Sequence, residues 1–150
     1  MRWFFLLFVL AFLLGGGVVL AGENLSAGRT LGIGTQFTFP GVLGVSLRLW
    51  TNPSFGLEGT AFVFSGEGGL WGFLAGRALI RMADTRAVDF YIAPGASYLL
   101  GEGKLFGLGT MGIEFTPPFA PALALNVEFG FFFVQSQVGM SFGSGLHFYF

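Results

Sequence analysis

From Gly139 to Phe150 the chain alternates without a break. Met140, Phe142, Ser144, Leu146, Phe148 and Phe150 take the even positions, while Gly139, Ser141, Gly143, Gly145, His147 and Tyr149 take the odd ones. A period of two belongs to a strand with one greasy face and one small or polar face. The greasy face carries rings to its last residue, and a water-facing surface would leave them uncovered. This pattern restricts the chain to folds in which the apolar side of a sheet meets an apolar surrounding.

The same alternation recurs upstream. Leu31, Ile33, Phe37 and Phe39 oppose Thr30, Gly32, Gly34, Gln36 and Thr38, and Leu43, Val45, Leu47 and Leu49 oppose Gly44, Ser46, Arg48 and Trp50. Leu123, Leu125, Val127 and Phe129 likewise oppose Asn126 and Glu128. Mid-strand charges at Arg48, Glu58, Glu114 and Glu128 fall on the face away from the aliphatics; at Arg77 the parity is shared with Trp71, Phe73 and Leu79. An Arg turned toward lipid at mid-depth would cost about 2–4 kcal/mol.

Only 10% of residues are charged and 18% are aromatic, against about 25% charged in an ordinary soluble domain. Helical spans need about 20 nearly uninterrupted apolar residues. Past residue 22 such runs are broken by Thr, Gln, Pro, Ser and many of the 26 glycines, and charges return at Arg48, Glu58, Glu67 and Arg77. Strands of about ten residues between turn formers fit instead. Eight can be drawn, over 29–39, 42–50, 55–64, 70–81, 87–99, 105–116, 122–131 and 138–150. The breaks are Pro40-Gly41, Thr51-Asn52-Pro53, Ser65–Gly69, Ala83-Asp84-Thr85, Gly101–Lys104, Pro117–Pro121 and Phe132–Gln137. Open sheet edges are not tolerated in a bilayer, so the first strand must pair with the eighth. The expected fold is all-β, a closed antiparallel eight-stranded transmembrane β-barrel. A bulge is expected at Pro94-Gly95, because proline cannot donate to the ladder.

Residues 1–21 read as a cleavable signal peptide: Arg2 gives the positive start, Trp3–Leu14 the apolar core, and Val19-Leu20-Ala21 the small residues before cleavage between Ala21 and Gly22. The barrel then occupies 22–150. A net charge of −1 with no Lys/Arg cluster gives no basis for binding nucleic acid, and zero cysteines remove disulfides, thiolate metal sites and cysteine nucleophiles.

Gly145 followed by Phe148 and Phe150 resembles the C-terminal assembly signal of bacterial outer-membrane barrels. With the eight-strand pattern, the mature chain resembles the small barrels of the OmpA, OmpX and OmpW type. The resemblance implies a bacterial outer-membrane location, periplasmic termini, lipids and the barrel-insertion machinery as partners, and a monomer. The breaks it places outside the cell are no longer than the periplasmic ones, unlike the long loops usual in those relatives.

An eight-stranded barrel is just wide enough for side chains to fill, or for one small ligand. Folding the segments about their breaks sets Arg48 near Glu58, Glu58 near Arg77, Arg77 near Tyr91, Tyr91 near Glu114, and Arg81 near Asp89. We expect a buried polar belt of Arg48, Glu58, Arg77, Tyr91 and Glu114, with Glu128 apart. Paired charges that plug the lumen imply a structural, membrane-integrity role. The alternative is a narrow passive channel for small or hydrophobic solutes, and a continuous water column past Gly34, Gly44 and Gly112 would favour it. A lipid-modifying enzyme is the remote alternative. The one histidine, His147, lies about 20 Å along the strand from Ser141, too far for a nucleophile–base pair. The lone histidine with scattered carboxylates lacks metal-ligand spacing, and neither enzyme activity nor a cofactor is expected.

Overall fold

The computed structural model describes residues 28–39, 43–66 and 69–150. The expected leader, its cleavage site at Ala21-Gly22 and the break at Pro40-Gly41 lie outside the described residues. Eight strands follow in order: β1 (Leu31–Thr38), β2 (Gly44–Asn52), β3 (Phe55–Gly66), β4 (Gly69–Asp84), β5 (Val88–Leu100), β6 (Lys104–Phe115), β7 (Leu123–Val134) and β8 (Gln137–Tyr149). Each pairs antiparallel with its sequence neighbours, and β1 pairs with β8 to close the barrel. Twelve residues of strand, as in β6, run about 40 Å and rise about 30 Å when tilted. That is the thickness of a hydrocarbon core.

Alternation decides which face is which. On β2, Gly44, Ser46, Arg48 and Trp50 are buried in the lumen, while Val45 and Leu47 are 63% and 52% exposed on the outer wall. β7 and β8 repeat this, with Val127 and Phe142 outside and Asn126, Glu128, Ser141 and His147 inside. The mixed parity of β4 resolves inward: Phe73, Arg77 and Leu79 all point into the lumen, with Phe73 and Leu79 filling it as apolar packing.

Local chemistry sets the turns. The Asn52 carboxamide oxygen accepts from the backbone N–H of Ser54 and of Phe55, each at 2.9 Å, and reverses the chain from β2 to β3. Thr85 closes the β4–β5 turn through its hydroxyl, which accepts from Val88 N at 3.1 Å and donates to Val88 O at 2.7 Å. The β5–β6 turn needs positive φ at Gly101 (87°) and Gly103 (66°). The break expected over Phe132–Gln137 shrinks to Gln135-Ser136, since Phe132–Val134 extend β7 in register with β8.

The bulge expected at Pro94-Gly95 is absent. Gly95 faces Arg77 and Ile92 faces Ile80 in a single register, and Pro94 keeps its pairing with Gly109 on β6. On the β4 side the ladder omits the two pairs Ala78–Pro94 and Leu79–Ala93 without shifting. The register shifts that do occur lie at Trp50/Asn52 and Arg81/Ala83, next to the turns at the terminal end.

Candidate functional site

The chemistry of this barrel is inside it. Strand register puts Arg48 directly opposite Glu58, and Glu58 directly opposite Arg77. Glu58 therefore bridges two guanidinium groups: Arg48 Nε donates to its Oε2 at 2.8 Å, and Arg77 donates to its Oε1. Arg48 also reaches across the lumen to the Glu114 carboxylate, and Arg77 forks onto both oxygens of Glu128, one at 3.1 Å. Arg48 and Glu114 are 0% and 1% exposed, so these pairs are dry. Pairing and hydrogen bonding are what make such burial tolerable.

Hydroxyls and amides extend the network. Tyr91 donates to Glu128 Oε1 at 2.7 Å and accepts from Asn126 Nδ2 at 2.8 Å. Asn126 also donates to Gln36 Oε1 at 3.1 Å, drawing in β1. Tyr149 donates to Glu114 at 3.2 Å and accepts from Trp50 Nε1 at 3.2 Å. Arg29, just before β1, lies 4.9 Å from the Tyr149 ring centroid and 3.9 Å from Glu114. Burial lowers its pKa against the pull of Glu114, yet a guanidinium stays charged in any case. One set of side-chain contacts thus joins all eight strands.

Arg48, Glu58, Arg77, Tyr91 and Glu114 all lie in the lumen. Their partners differ in part from those the sequence implied. Glu128, expected apart, is the second carboxylate of Arg77. Tyr91 stands opposite Arg81 rather than Arg77, and it hydrogen-bonds Glu128 rather than Glu114. The reason is Gly112, which sits between β5 and β7. A Cβ there would lie 2.5 Å from the Tyr91 ring, so the missing side chain lets Tyr91 reach past β6 to β7. Arg81 and Asp89 do meet, at 3.3 Å.

At the inward glycines, neighbouring groups take the space of the missing side chain. Gly112 lies under Tyr91, and Gly32 lies under the Tyr149 ring. Gly145 lies beneath the Gln36 and Asn126 amides, giving it a packing role in addition to its place in the C-terminal pattern. At Gly34 and Gly44 the space of a side chain is taken by the backbone of the neighbouring strand.

Trp50, on the face of β2 opposite the aliphatics, is 3% exposed inside the barrel, with Arg81 stacked 4.1 Å from its ring centroid. Phe55, Phe115, Phe148 and Phe150 are exposed at the terminal end, and Phe39, Phe131 and Phe133 toward the other. His147 Nε2 lies 3.0 Å from Ser46 Oγ, a partner that the search along β8 missed. The nearest carboxylate, Glu58, approaches the same ring nitrogen at 4.0 Å, while a nucleophile's base needs its orienting group on the other nitrogen. Both side chains are 0% exposed, out of reach of substrate. Among the described residues no group of His, Asp and Glu is placed to hold a metal ion.

No family model matches the chain, and no curated protein matches it. Solved structures do. The solution structure of the de novo designed barrel TMB2.3 superposes with a TM-score of 0.57 at 14% identity, covering 81% of this chain and 94% of that one. A second structure, from the de novo design of transmembrane β-barrels, gives 0.54 at 13% identity over 80% and 92%. The crystal structure of the N-terminal β-barrel domain of Pseudomonas aeruginosa OprF gives 0.54 at 10% identity over 80% and 95%. At these identities the likeness is one of fold, and the fold is that of transmembrane β-barrels.

Proposed function

We propose that the chain from about residue 22 onward is a monomeric integral β-barrel of a bacterial outer membrane with a structural, membrane-integrity role and no enzymatic activity. The observation that carries this reading is the dry network of Arg48, Glu58, Arg77, Glu114 and Glu128, which, extended by Gln36, Tyr91, Asn126 and Tyr149, ties every strand into one plug. An outer wall of exposed Leu, Val and Phe supports lipid as the surrounding partner. The test is ion conductance of the mature protein in planar bilayers, after heat-modifiable migration has shown it folded. Silence is expected. Discrete conductance steps in the wild type would move the reading to the alternative, a narrow passive channel. That alternative draws on the distal half of the lumen, where the described inward residues Phe73, Leu108 and Thr110 carry no charge.

The insertion machinery is the proposed second partner, reading Gly145, Phe148 and Phe150. The Phe150 side chain is 76% exposed, and only its backbone is held, by a 2.9 Å bond from its N–H to Leu31 O. Phe150→Ala is therefore expected to slow assembly by the insertion machinery while equilibrium stability in urea changes by less than about 0.5 kcal/mol. A variant that assembles at the wild-type rate removes the signal from this reading.

A further inference from the structure

The terminal end of the barrel has two unlike sides. Among the described residues, the β2–β3 tip presents Asn52 and Ser54, and the β4–β5 tip presents Asp84 and Arg86, all exposed. The β6–β7 connection is different. Residues 116–122 read Thr-Pro-Pro-Phe-Ala-Pro-Ala and carry no charge. The hydroxyl of Thr116 is buried and accepts from the Arg29 guanidinium at 2.8 Å. Phe119 at the tip is 89% exposed, the highest value of any large apolar side chain among the described residues. It lies beyond the last ladder pair of β6 with β7, at Phe115 and Leu125, so strand alternation does not place it.

The connection is stiff. Prolines fix φ at positions 117, 118 and 121. Ala120 N–H bonds Pro117 O and Leu123 N–H bonds Ala120 O, each at 2.9 Å, so one turn follows directly on another. Neighbours pin both flanks. Thr116 N–H bonds Ala87 O and Tyr149 N–H bonds Ala122 O, each at 2.8 Å, and the Arg29 guanidinium donates to Pro121 O. Phe119 is therefore held out on a backbone with little freedom left, and seating its ring in an apolar layer costs little further ordering. The wall beside it is apolar too. Outward Phe115 lies at the foot of one flank, and outward Phe148, opposite Leu123, at the foot of the other. Apolar surface runs from that wall onto the connection through exposed Pro118, Pro121 and Ala122, with no exposed charge between.

We propose that the β6–β7 connection is a membrane hook. Its Phe119 ring seats in the leaflet on the terminal side, about 5–10 Å into the boundary between headgroups and acyl chains, while the β2–β3 and β4–β5 tips stay in water. The chemistry selects the partner. A ring on an uncharged backbone turn suits the headgroup level, where aromatic side chains gather, whereas an ion, a sugar or an acidic peptide would find no donor there. The patch also continues a wall that meets lipid, and this continuity favours lipid over a separate protein. The finished barrel then sits deeper on the β6–β8 side than on the β2–β5 side, since interfacial anchors set tilt. The inference rests on membrane residence, and the experiment separates the two.

The chain has no cysteine, so single cysteines can carry nitroxide labels on the mature protein in phosphatidylcholine vesicles. Depth is read from the ratio of oxygen to nickel-chelate collision rates. The label at Pro118→Cys is expected about 5–10 Å inside the headgroup boundary, that at Arg86→Cys in water, and that at outward Val127→Cys in hydrocarbon. Adding Phe119→Asp to Pro118→Cys should shift its label back to water, while the same change leaves Val127→Cys in hydrocarbon. A Pro118→Cys label in water beside a Val127→Cys label in hydrocarbon overturns the hook alone and leaves the ring to a protein partner. A label that stays at depth in the Phe119→Asp variant overturns it as well. A Val127→Cys label in water removes membrane residence and the hook with it. If Pro118→Cys fails to fold, Ala122→Cys, whose side chain is exposed, carries the same measurement.

Discussion

Arg48→Met is expected to cost about 3–5 kcal/mol, the penalty of breaking a buried ion pair, and to do more damage than removal of any single carboxylate. The charge count decides the order. The network holds three carboxylates, Glu58, Glu114 and Glu128, against two guanidiniums, Arg48 and Arg77, with Arg29 at 3.9 Å from Glu114 as nearby balance among the described residues. Losing Arg48 leaves three buried negative groups facing Arg77, and Glu114 retains only Arg29 and Tyr149. Losing the charge of Glu58, as in Glu58→Gln, leaves two against two, and the amide oxygen still accepts from one arginine. About 1–3 kcal/mol is expected there. Urea titration of the folded band on gels gives both values. A smaller loss for Arg48→Met than for Glu58→Gln would show that the charges are not acting as one network.

Gly34→Ala is expected to be the second large effect, at roughly 3 kcal/mol, the upper range for overpacking. A Cβ at Gly34 would lie 1.9 Å from the Leu146 carbonyl oxygen and 2.8 Å from the Cα of His147. Neither is a side-chain end that can swing away, so β1 and β8 would have to part. This pair is also the closing seam, the one strand contact between opposite ends of the chain. Gly59→Ala serves as the control, since a Cβ there meets nothing within 4 Å. Equal stability of the two variants would refute a packing requirement at the seam.

Much of this architecture was legible from alternation alone. A period of two, repeated between turn formers, predicts eight strands and their faces, and each observed strand overlaps its predicted segment. The Arg48–Glu58–Arg77 line was legible too, because the β2–β3 and β3–β4 connections are short enough for mirroring to find the register. What failed was longer in reach. The bulge at Arg81/Ala83 and the extended β4 displaced Tyr91 from Arg77. Glu128 entered the network through a contact that passes over a glycine on an intervening strand, and reasoning from adjacent pairs does not consider such contacts. Trp50 lies near a strand end, where rings commonly line a membrane interface. Its inward parity was also visible, and parity is the signal that decides. Pro94 showed that a lost donor on an outward-facing residue need not shift a register.

The thread of contacts through every strand bears on how the barrel comes to exist. From Gln36 on β1 through Asn126, Tyr91, Glu128, Arg77, Glu58, Arg48 and Glu114 to Tyr149 on β8, each link needs a partner from another strand. A sheet lacking even one hairpin would carry charged groups without counterions on a face about to lose its water. Such a partial structure is costly to place in a bilayer. The finished circle has no such debt. The ionic core therefore makes the complete barrel cheaper to place in an apolar surrounding than a fragment of it.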